Sequence, residues 1–212
     1  MKAYTHPVKV AAGCMVGKAL SELLIDNKNL SESAVERMGD NELLYFLRDS
    51  SKPIAKSLAD GVLQRHLYKP IYCARALEQA QCNLNQYEVR QSHLNGLGLT
   101  DPKTRTDIEA KMARQAGLKP VDVIVYCPPK APGLQKVRQY VETQPGREEV
   151  RDAVCDPHVR IYSAHLRLWT VYVFVRPSIE QNTRNKVCQL FEDLIGLKNQ
   201  IQFHRHQLLL DL

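Results

Sequence analysis

The sequence predicts an α+β protein, in which a helical N-terminal half is followed by a small α+β sandwich. Apolar residues recur with a helical period over residues 1–26. Two runs rich in β-branched and aromatic residues, VDVIVYC at 121–127 and WTVYVFV at 169–175, are typical of buried strands. Helix-forming stretches precede and follow these runs. We expect a helical domain over 1–92, an α+β subdomain over 100–197 and a tail over 198–212.

The first predicted helix occupies residues 1–26, and no capping Ser, Thr, Asp or Asn precedes its periodic run. Its apolar stripe, which includes Val8, Ala12, Met15 and Leu23, needs a surface to pack against. We expect that surface to come from a helical bundle outside this chain, from a second copy or from a separate polypeptide. The pattern therefore indicates the C-terminal part of a larger assembly.

The rest of the front half carries clear boundary signals. Residues 33–36 have the spacing of a capping box, which predicts a short helix. Asp40 is placed to cap a helix over 41–49. Pro53 suits the first position of another helix. The segment 67–73 is rich in strand-forming residues and is predicted to be extended.

The back half alternates helices and strands. A helix is predicted from Asp101 to Ala116, and Gly117 ends it. The strand at 121–127 is apolar throughout, so we expect it to be central. A second strand is predicted at 136–142, whereas 146–157 is charged and is predicted to be a loop. The strand at 169–175 and a helix over 178–195 complete a sheet that we expect to carry its helices on one face.

Composition is that of an ordinary globular protein, with 44% hydrophobic and 25% charged residues among 212. No apolar run reaches the ~20 residues of a membrane span, and no targeting segment is visible, so we expect a cytoplasmic protein without a membrane partner. The six cysteines form no C-x-x-C pair, which argues against a zinc ribbon and favours reduced, mostly buried thiols. The net charge of +6 is compatible with an anionic partner.

The common catalytic motifs are missing from the sequence. It contains no G-x-x-x-x-G-K-[ST] loop, no G-x-S-x-G elbow and no His-Asp dipeptide. His204 and His206 are close neighbours, but a metal site needs three or four ligands. We therefore expect no cofactor and no catalytic residue in this chain.

One basic cluster, formed by Arg65, His66, Tyr68 and Lys69, follows the helix that starts at Pro53. Its cations have two interpretations. They could stabilise the C-terminus of that helix through its dipole, or they could hold phosphate groups, Arg by its planar fork and Lys as a point charge. The sequence leaves both open.

Motifs at residues 4–8, 38–44, 63–69, 121–128 and 168–175 resemble, in shared order, those of the HD-domain phosphohydrolases, in particular the branch that includes the deoxynucleoside triphosphate triphosphohydrolases. Residues 4–8 (YTHPV) resemble that family's Y-x-H-x-V helix. Residues 38–44 (MGDNELL) and 63–69 (LQRHLYK) are similar to its next two motifs. Residues 121–128 (VDVIVYCP) and the strand at 168–175 resemble its C-terminal associated region. The likeness extends over about residues 2–195.

The resemblance implies that the His, His-Asp and Asp metal ligands lie on helices before residue 1. The chain would then lack the metal-binding core, a divalent metal would be held only in that core, and the chain would be inactive alone. By resemblance, Tyr4 packs near a nucleotide sugar, His6 lies near a regulatory nucleotide site, and Arg65 and Lys69 contact phosphates or base at that site. Some relatives place a Lys where Pro7 stands, so one phosphate contact would be absent.

Two functions from different classes follow. The first is the C-terminal regulatory or structural region of an HD-type phosphohydrolase of (deoxy)nucleoside triphosphates, which binds nucleotide phosphates and assembles as a homo-oligomer or with a chain carrying the HD core. The second is a stand-alone basic module that binds nucleic acid or a partner protein. The basic pI favours the second, while the absence of a Lys/Arg block argues against it.

Overall fold

The computed structural model describes residues 6–26, 32–75, 92–128, 140–143, 146–149 and 169–201. Its helices are α1 (Pro7–Asp26), α2 (Glu32–Glu36), α3 (Asp40–Arg48), α4 (Pro53–Leu63), α5 (92–96), α6 (Pro102–Ala116) and α7 (Gln181–Ile195), with a 3₁₀ turn at Pro120–Asp122. Its strands are β1 (Lys69–Arg75), β2 (Val123–Tyr126), β3 (Tyr140–Thr143), β4 (Gly146–Glu149) and β5 (Thr170–Val175). The predicted α+β class is confirmed. Within the described residues, no helix is long and apolar enough to cross a lipid bilayer.

The main sheet has three antiparallel strands in the order β1-β5-β2. The strand β5 is central, and its Val175 faces both Lys69 on β1 and Val123 on β2. The prediction that the strand near 121–127 is central was wrong, because β2 lies at one side of this sheet. The domain boundaries at 92 and 100 stay a prediction, although the sheet takes strands from both predicted domains.

Helices cover both faces of the sheet, so the expectation of helices on one face was wrong. Alternate residues of β5 point to opposite sides: Val171 and Val173 join a core cluster with α6 and α7, whereas Tyr172 and Phe174 join one with α1 and α4. The residues of β2 also alternate between these two core clusters. Its continuous apolar run therefore reflects two covered faces rather than a central position.

The apolar stripe of α1 is covered by this chain itself. Ala11, Met15, Ala19 and Leu23 are at most 6% exposed and pack in the cluster that includes α4. The two helices approach closely at Gly61, where an added Cβ would lie 2.8 Å from the Met15 methyl carbon. The expectation that Met15 and Leu23 await an external surface was wrong, and Met15→Asp would place a charge in this core.

The start of α1 also differs from its prediction. His6 is not helical, and its carbonyl accepts the amides of Lys9 (2.9 Å) and Val10 (3.1 Å), while its Nδ1 atom lies 3.3 Å from the amide of Val8. Pro7 is thus the first helical residue, a position that its fixed φ and missing N–H suit. The prediction of a helix without a start signal was wrong. Residues 1–5 lie outside the described residues.

Other boundaries hold with small shifts. The helix α4 begins at Pro53 as predicted, and Asp101 accepts the amide of Thr104 at 2.8 Å as the cap of α6. Asp40 is the first residue of α3 instead of its cap, since Gly39 occupies the cap position. The range 146–157, predicted as a loop, contains β4, which pairs with β3 in a hairpin.

Side chains occupy the outer edge of β2. A carboxylate oxygen of Glu109 on α6 accepts the amide of Val125 at 2.8 Å. The ammonium group of Lys18 on α1 donates to the other Glu109 oxygen (2.7 Å) and to the carbonyls of Pro120 and Val123 (2.9 Å each). All three ammonium donors of this nearly buried pair are thereby used, so the network joins α1, α6 and β2 without an unsatisfied charge.

The outer edge of β1 is covered in the same manner by residues that follow α7. The Asn199 side chain accepts the amide of Cys73 at 3.1 Å and donates to the carbonyl of Ile71 at 2.8 Å. The Gln200 side chain accepts the amide of Arg75 at 3.1 Å. Residues 198–201, predicted as the start of a tail, therefore dock on the sheet, while 202–212, with both tail histidines, lie outside the described residues.

Candidate functional site

The helix α4 ends in a turn that places a bulky residue in the left-handed backbone region. Arg65 has φ 58°, and His66 donates its amide to Gly61 at 2.7 Å while Arg65 donates to Val62 at 3.1 Å. These are the two hydrogen bonds of a Schellman motif. The corresponding pair closes α6, where Leu118 donates to Ala113 at 2.8 Å and Gly117 donates to Arg114 at 3.1 Å.

The two turns differ in the residue at the left-handed position. At the end of α6 it is Gly117, with φ 76°, and at the end of α7 it is Gly196, with φ 66°. Glycine adopts this conformation readily, whereas another L-residue loses roughly 1–2 kcal/mol there. Among the described non-glycine residues, only Arg65 has a positive φ. Such strained positions concentrate at functional sites, so Arg65 is a candidate for a role beyond the turn.

The chain then turns into β1 and exposes a second cation. Lys69, the first residue of β1, is exposed, as is Arg65. Within the described part of the chain, neither side chain makes a hydrogen bond or an ion pair. We call Arg65 and Lys69 the basic corner. Both are therefore available to an anionic ligand.

Tyr68, which stands between Arg65 and Lys69 in the sequence, is buried and anchors this segment of the chain. The Tyr68 hydroxyl donates to the carbonyl of Val121 at 2.9 Å, and Arg176 approaches that hydroxyl at 3.5 Å. Arg176 also forms an ion pair with Asp122, with Nε and Oδ1 3.0 Å apart. Burial raises the pKa of the Tyr68 phenol, and Arg176 opposes part of that shift, so the hydroxyl stays a donor at neutral pH.

A pocket of about 600 Å³ lies beside the basic corner, between α4 and the turn that joins β5 to α7. Its residues come from α1, from α4, from the extended segment before β1 and from the end of β5. They are Met15, Pro53, Lys56, Ser57, Asp60, Gly61, Gln64, His66, Tyr68, Arg176, Pro177 and Ser178. Arg65 and Lys69 are not among the described residues that line it.

Of the predicted cluster, His66 and Tyr68 line the pocket, whereas Arg65 and Lys69 are exposed and lie outside its lining. His6 lies at the exposed start of α1, where its ring faces the Val8 amide, and within the described residues no hydrogen bond or ion pair joins it to the basic corner. Tyr4 lies outside the described residues. The roles of all four residues stay predictions.

Sequence reasoning missed Lys56 and Arg176 as site residues. Lys56 follows the first turn of α4, where a lysine is usually just solvated, and Arg176 directly follows the strongest strand and precedes Pro177. The position of Arg176 gives a weak signal of a functional site, because a charged residue at the end of a buried strand lies at the edge of the sheet, among the loops. Its pairing with Asp122, which is distant in sequence, could not be read from spacing.

The four described cysteines are free thiols; Cys73 and Cys127 are buried as predicted, whereas Cys14 and Cys188 are half-buried. That they stay reduced remains a prediction. Burial raises the pKa of Cys14 to about 12 and the pKa values of Cys73, Cys127 and Cys188 to about 11. Little thiolate forms at neutral pH, so these side chains are poor nucleophiles. Within the described residues, no group of three or more His, Cys, Asp or Glu side chains is arranged to hold a metal ion.

Two comparisons with known proteins bear on this arrangement. A family model described as the HD associated region matches residues 1–206 of the chain. A search of the curated proteins found no match.

Proposed function

The chain belongs to the family of HD associated regions, and from this premise we propose that it serves an HD-type phosphohydrolase of (deoxy)nucleoside triphosphates as a regulatory region. In this proposal the basic corner binds nucleotide phosphates, and His6 and Tyr4 contribute contacts to the nucleotide. The divalent metal and the activated water belong to an HD core elsewhere. The part of this chain is to bind and orient phosphate groups, so it is inactive alone.

One observation carries the proposal: Arg65 occupies a left-handed position where the equivalent turn of α6 has glycine. The turn itself would be more stable with glycine, so a role of the guanidinium in binding would account for an arginine at this position. A guanidinium fork and an ammonium group both suit the oxygens of a phosphate chain, and both side chains are exposed. Their anchoring through Tyr68 to the carbonyl of Val121 keeps the corner fixed, which reduces the entropy lost on binding.

The test is binding of dGTP and ATP to the purified chain by isothermal titration calorimetry. Arg65→Ala and Lys69→Ala should each weaken binding at least tenfold, because each removes one charged contact with phosphate. The matched control is Lys111→Ala, which removes an exposed cation from α6 on the other side of the sheet. Unchanged affinity in both corner variants, or equal loss in the control, would overturn the proposed site.

A turnover assay tests the proposal that the chain is inactive alone. The chain is incubated with Mg²⁺ or Mn²⁺ and a panel of deoxynucleoside triphosphates, and released phosphate and triphosphate are measured. We expect no release above the protein-free blank. Turnover that survives further purification would contradict the proposal.

The alternative, a stand-alone basic module, rests on the net charge of +6. Binding to a random single-stranded oligonucleotide at several salt concentrations separates the two. A steep loss of affinity with salt would support the module, since phosphate binding releases counterions.

Light scattering of the chain, alone and mixed with an HD core, tests the proposed homo-oligomer or partner chain. Val8 and Leu24 of α1, 53% and 48% exposed, are the apolar contacts we would substitute first.

A further inference from the structure

We propose that the pocket between α4 and the β5–α7 turn is a second binding site, separate from the basic corner, for a small organic phosphate monoester. Its volume of about 600 Å³ lies within the range of small-molecule sites, about 300–1,000 Å³. Four segments of the chain line this open depression, so a ligand there would contact residues that are far apart in sequence.

Apolar surface forms one part of the pocket. Met15, Pro53 and Pro177 contribute apolar surface to its lining. The two prolines offer this surface with little loss of side-chain entropy. The ligand should therefore carry an apolar body in addition to its charged group.

Cations and hydroxyls form the other part. Arg176 uses Nε for Asp122 and one Nη2 donor for Tyr68, which leaves further donors of its planar guanidinium without a partner among the described residues. Lys56 and His66 line the same space, and the structure gives their side chains no hydrogen-bond partner in the part it describes. Ser57 and Ser178 add exposed hydroxyls. This set of donors suits phosphate oxygens.

The charge balance limits how much phosphate the pocket can hold. Asp60 lines the pocket one helical turn after Lys56 on α4, and Asp122 pairs with Arg176. The two carboxylates match the two cations one for one in formal charge, so the donors that these groups leave unused, rather than an excess of positive charge, would hold a phosphate. One phosphate group with an apolar body fits this balance, whereas a triphosphate would leave anionic oxygens facing Asp60. This distinguishes the pocket from the basic corner, where no acidic side chain pairs with either cation in the described residues.

The test is a nuclear magnetic resonance titration of the whole chain with AMP, adenosine and inorganic phosphate, observed at the His66 ring. AMP should shift the His66 signals in a saturable manner, and adenosine or phosphate alone should bind at least tenfold more weakly. Lys56→Gln and Ser178→Trp should each weaken AMP binding at least tenfold, the first by removing a cation and the second by placing an indole in the space that Ser178 lines. Lys111→Gln on α6 is the control.

The outcomes separate the two sites. AMP that shifts His66 in the unaltered chain, with loss in both pocket variants, supports the pocket even if dGTP binding at Arg65 fails. Binding that is lost in Arg65→Ala but kept in Lys56→Gln and Ser178→Trp would assign the ligand to the basic corner and overturn the pocket. ATP that binds the pocket more tightly than AMP would overturn the preference for a monoester.

Discussion

Replacing Arg65 by glycine should stabilise the protein while weakening its binding of nucleotide phosphates. Arg65 holds φ 58° at the end of α4, in a turn whose two hydrogen bonds are made by backbone amides and carbonyls alone. Glycine keeps both bonds and removes the steric conflict of Cβ with the backbone. Most substitutions lower stability and binding together, so an opposite response of the two quantities is diagnostic.

The magnitude follows from two opposing terms. A non-glycine residue in the left-handed region costs roughly 1–2 kcal/mol. Glycine gains more freedom in the unfolded chain, which costs about 0.5–1 kcal/mol on folding. The free energy of unfolding should therefore rise by about 0.5–1 kcal/mol, and the Tm by about 1–4 °C for a domain of this size.

Urea and thermal unfolding give the stability, and calorimetry with dGTP gives the affinity. Arg65→Ala is the matched control, because it removes the guanidinium but keeps a Cβ at the strained position. It should lose affinity as the glycine variant does, without the gain in stability. A glycine variant less stable than the parent would refute the interpretation of the turn, and unaltered dGTP affinity would refute the role of the side chain.

Three further predictions concern the framework around the site. Lys18→Met leaves the Glu109 carboxylate buried without its cation, so the free energy of unfolding should fall by about 3–5 kcal/mol. The double variant with Glu109→Leu should recover part of that loss. If the losses of the two single variants simply add in the double variant, the proposed coupling is contradicted. Gly98→Ala should destabilise by more than the ~1 kcal/mol typical of a left-handed glycine, because its Cβ would lie 2.8 Å from Thr104, as urea unfolding would show. Hydrogen bonds from Thr104 lower the pKa of the Asp101 carboxyl. Its capping contribution to stability is therefore present above the unfolded pKa near 3.8 and is lost as the pH falls through the lower folded value. Asp101→Asn should flatten this acid dependence of the Tm, and an unchanged profile would contradict the prediction.

Local signals in the sequence were enough for most of the helices and for the two main strands. Pro53 and Asp101 begin helices and Gly117 ends one because each acts through its own backbone or side-chain chemistry within a few residues. The cluster from Arg65 to Lys69 is visible in the sequence because its residues are neighbours in the chain. The sequence does not predict the left-handed conformation of Arg65, because glycine or asparagine usually occupies that position.

The failures concern contacts between distant residues. Lys18 interrupts an apolar stripe and resembles a solvated lysine, yet it is paired with Glu109, 91 residues away. The apolar run at β2 predicts a central strand, because no local pattern distinguishes a central strand from a side strand with both faces covered. The stripe of α1 predicts a partner outside the chain, because the surface that buries it is assembled from α4 and the sheet, which are distant in sequence.

The closed edges of the sheet restrict how this region joins other polypeptides. Glu109 and Lys18 occupy the backbone groups along one border, and Asn199 and Gln200 occupy those along the other. A foreign strand could extend the sheet there only by displacing these side chains. The proposed assembly with an HD core or with another copy would then use surfaces other than these two edges, and the same arrangement guards this sheet against strand-to-strand aggregation.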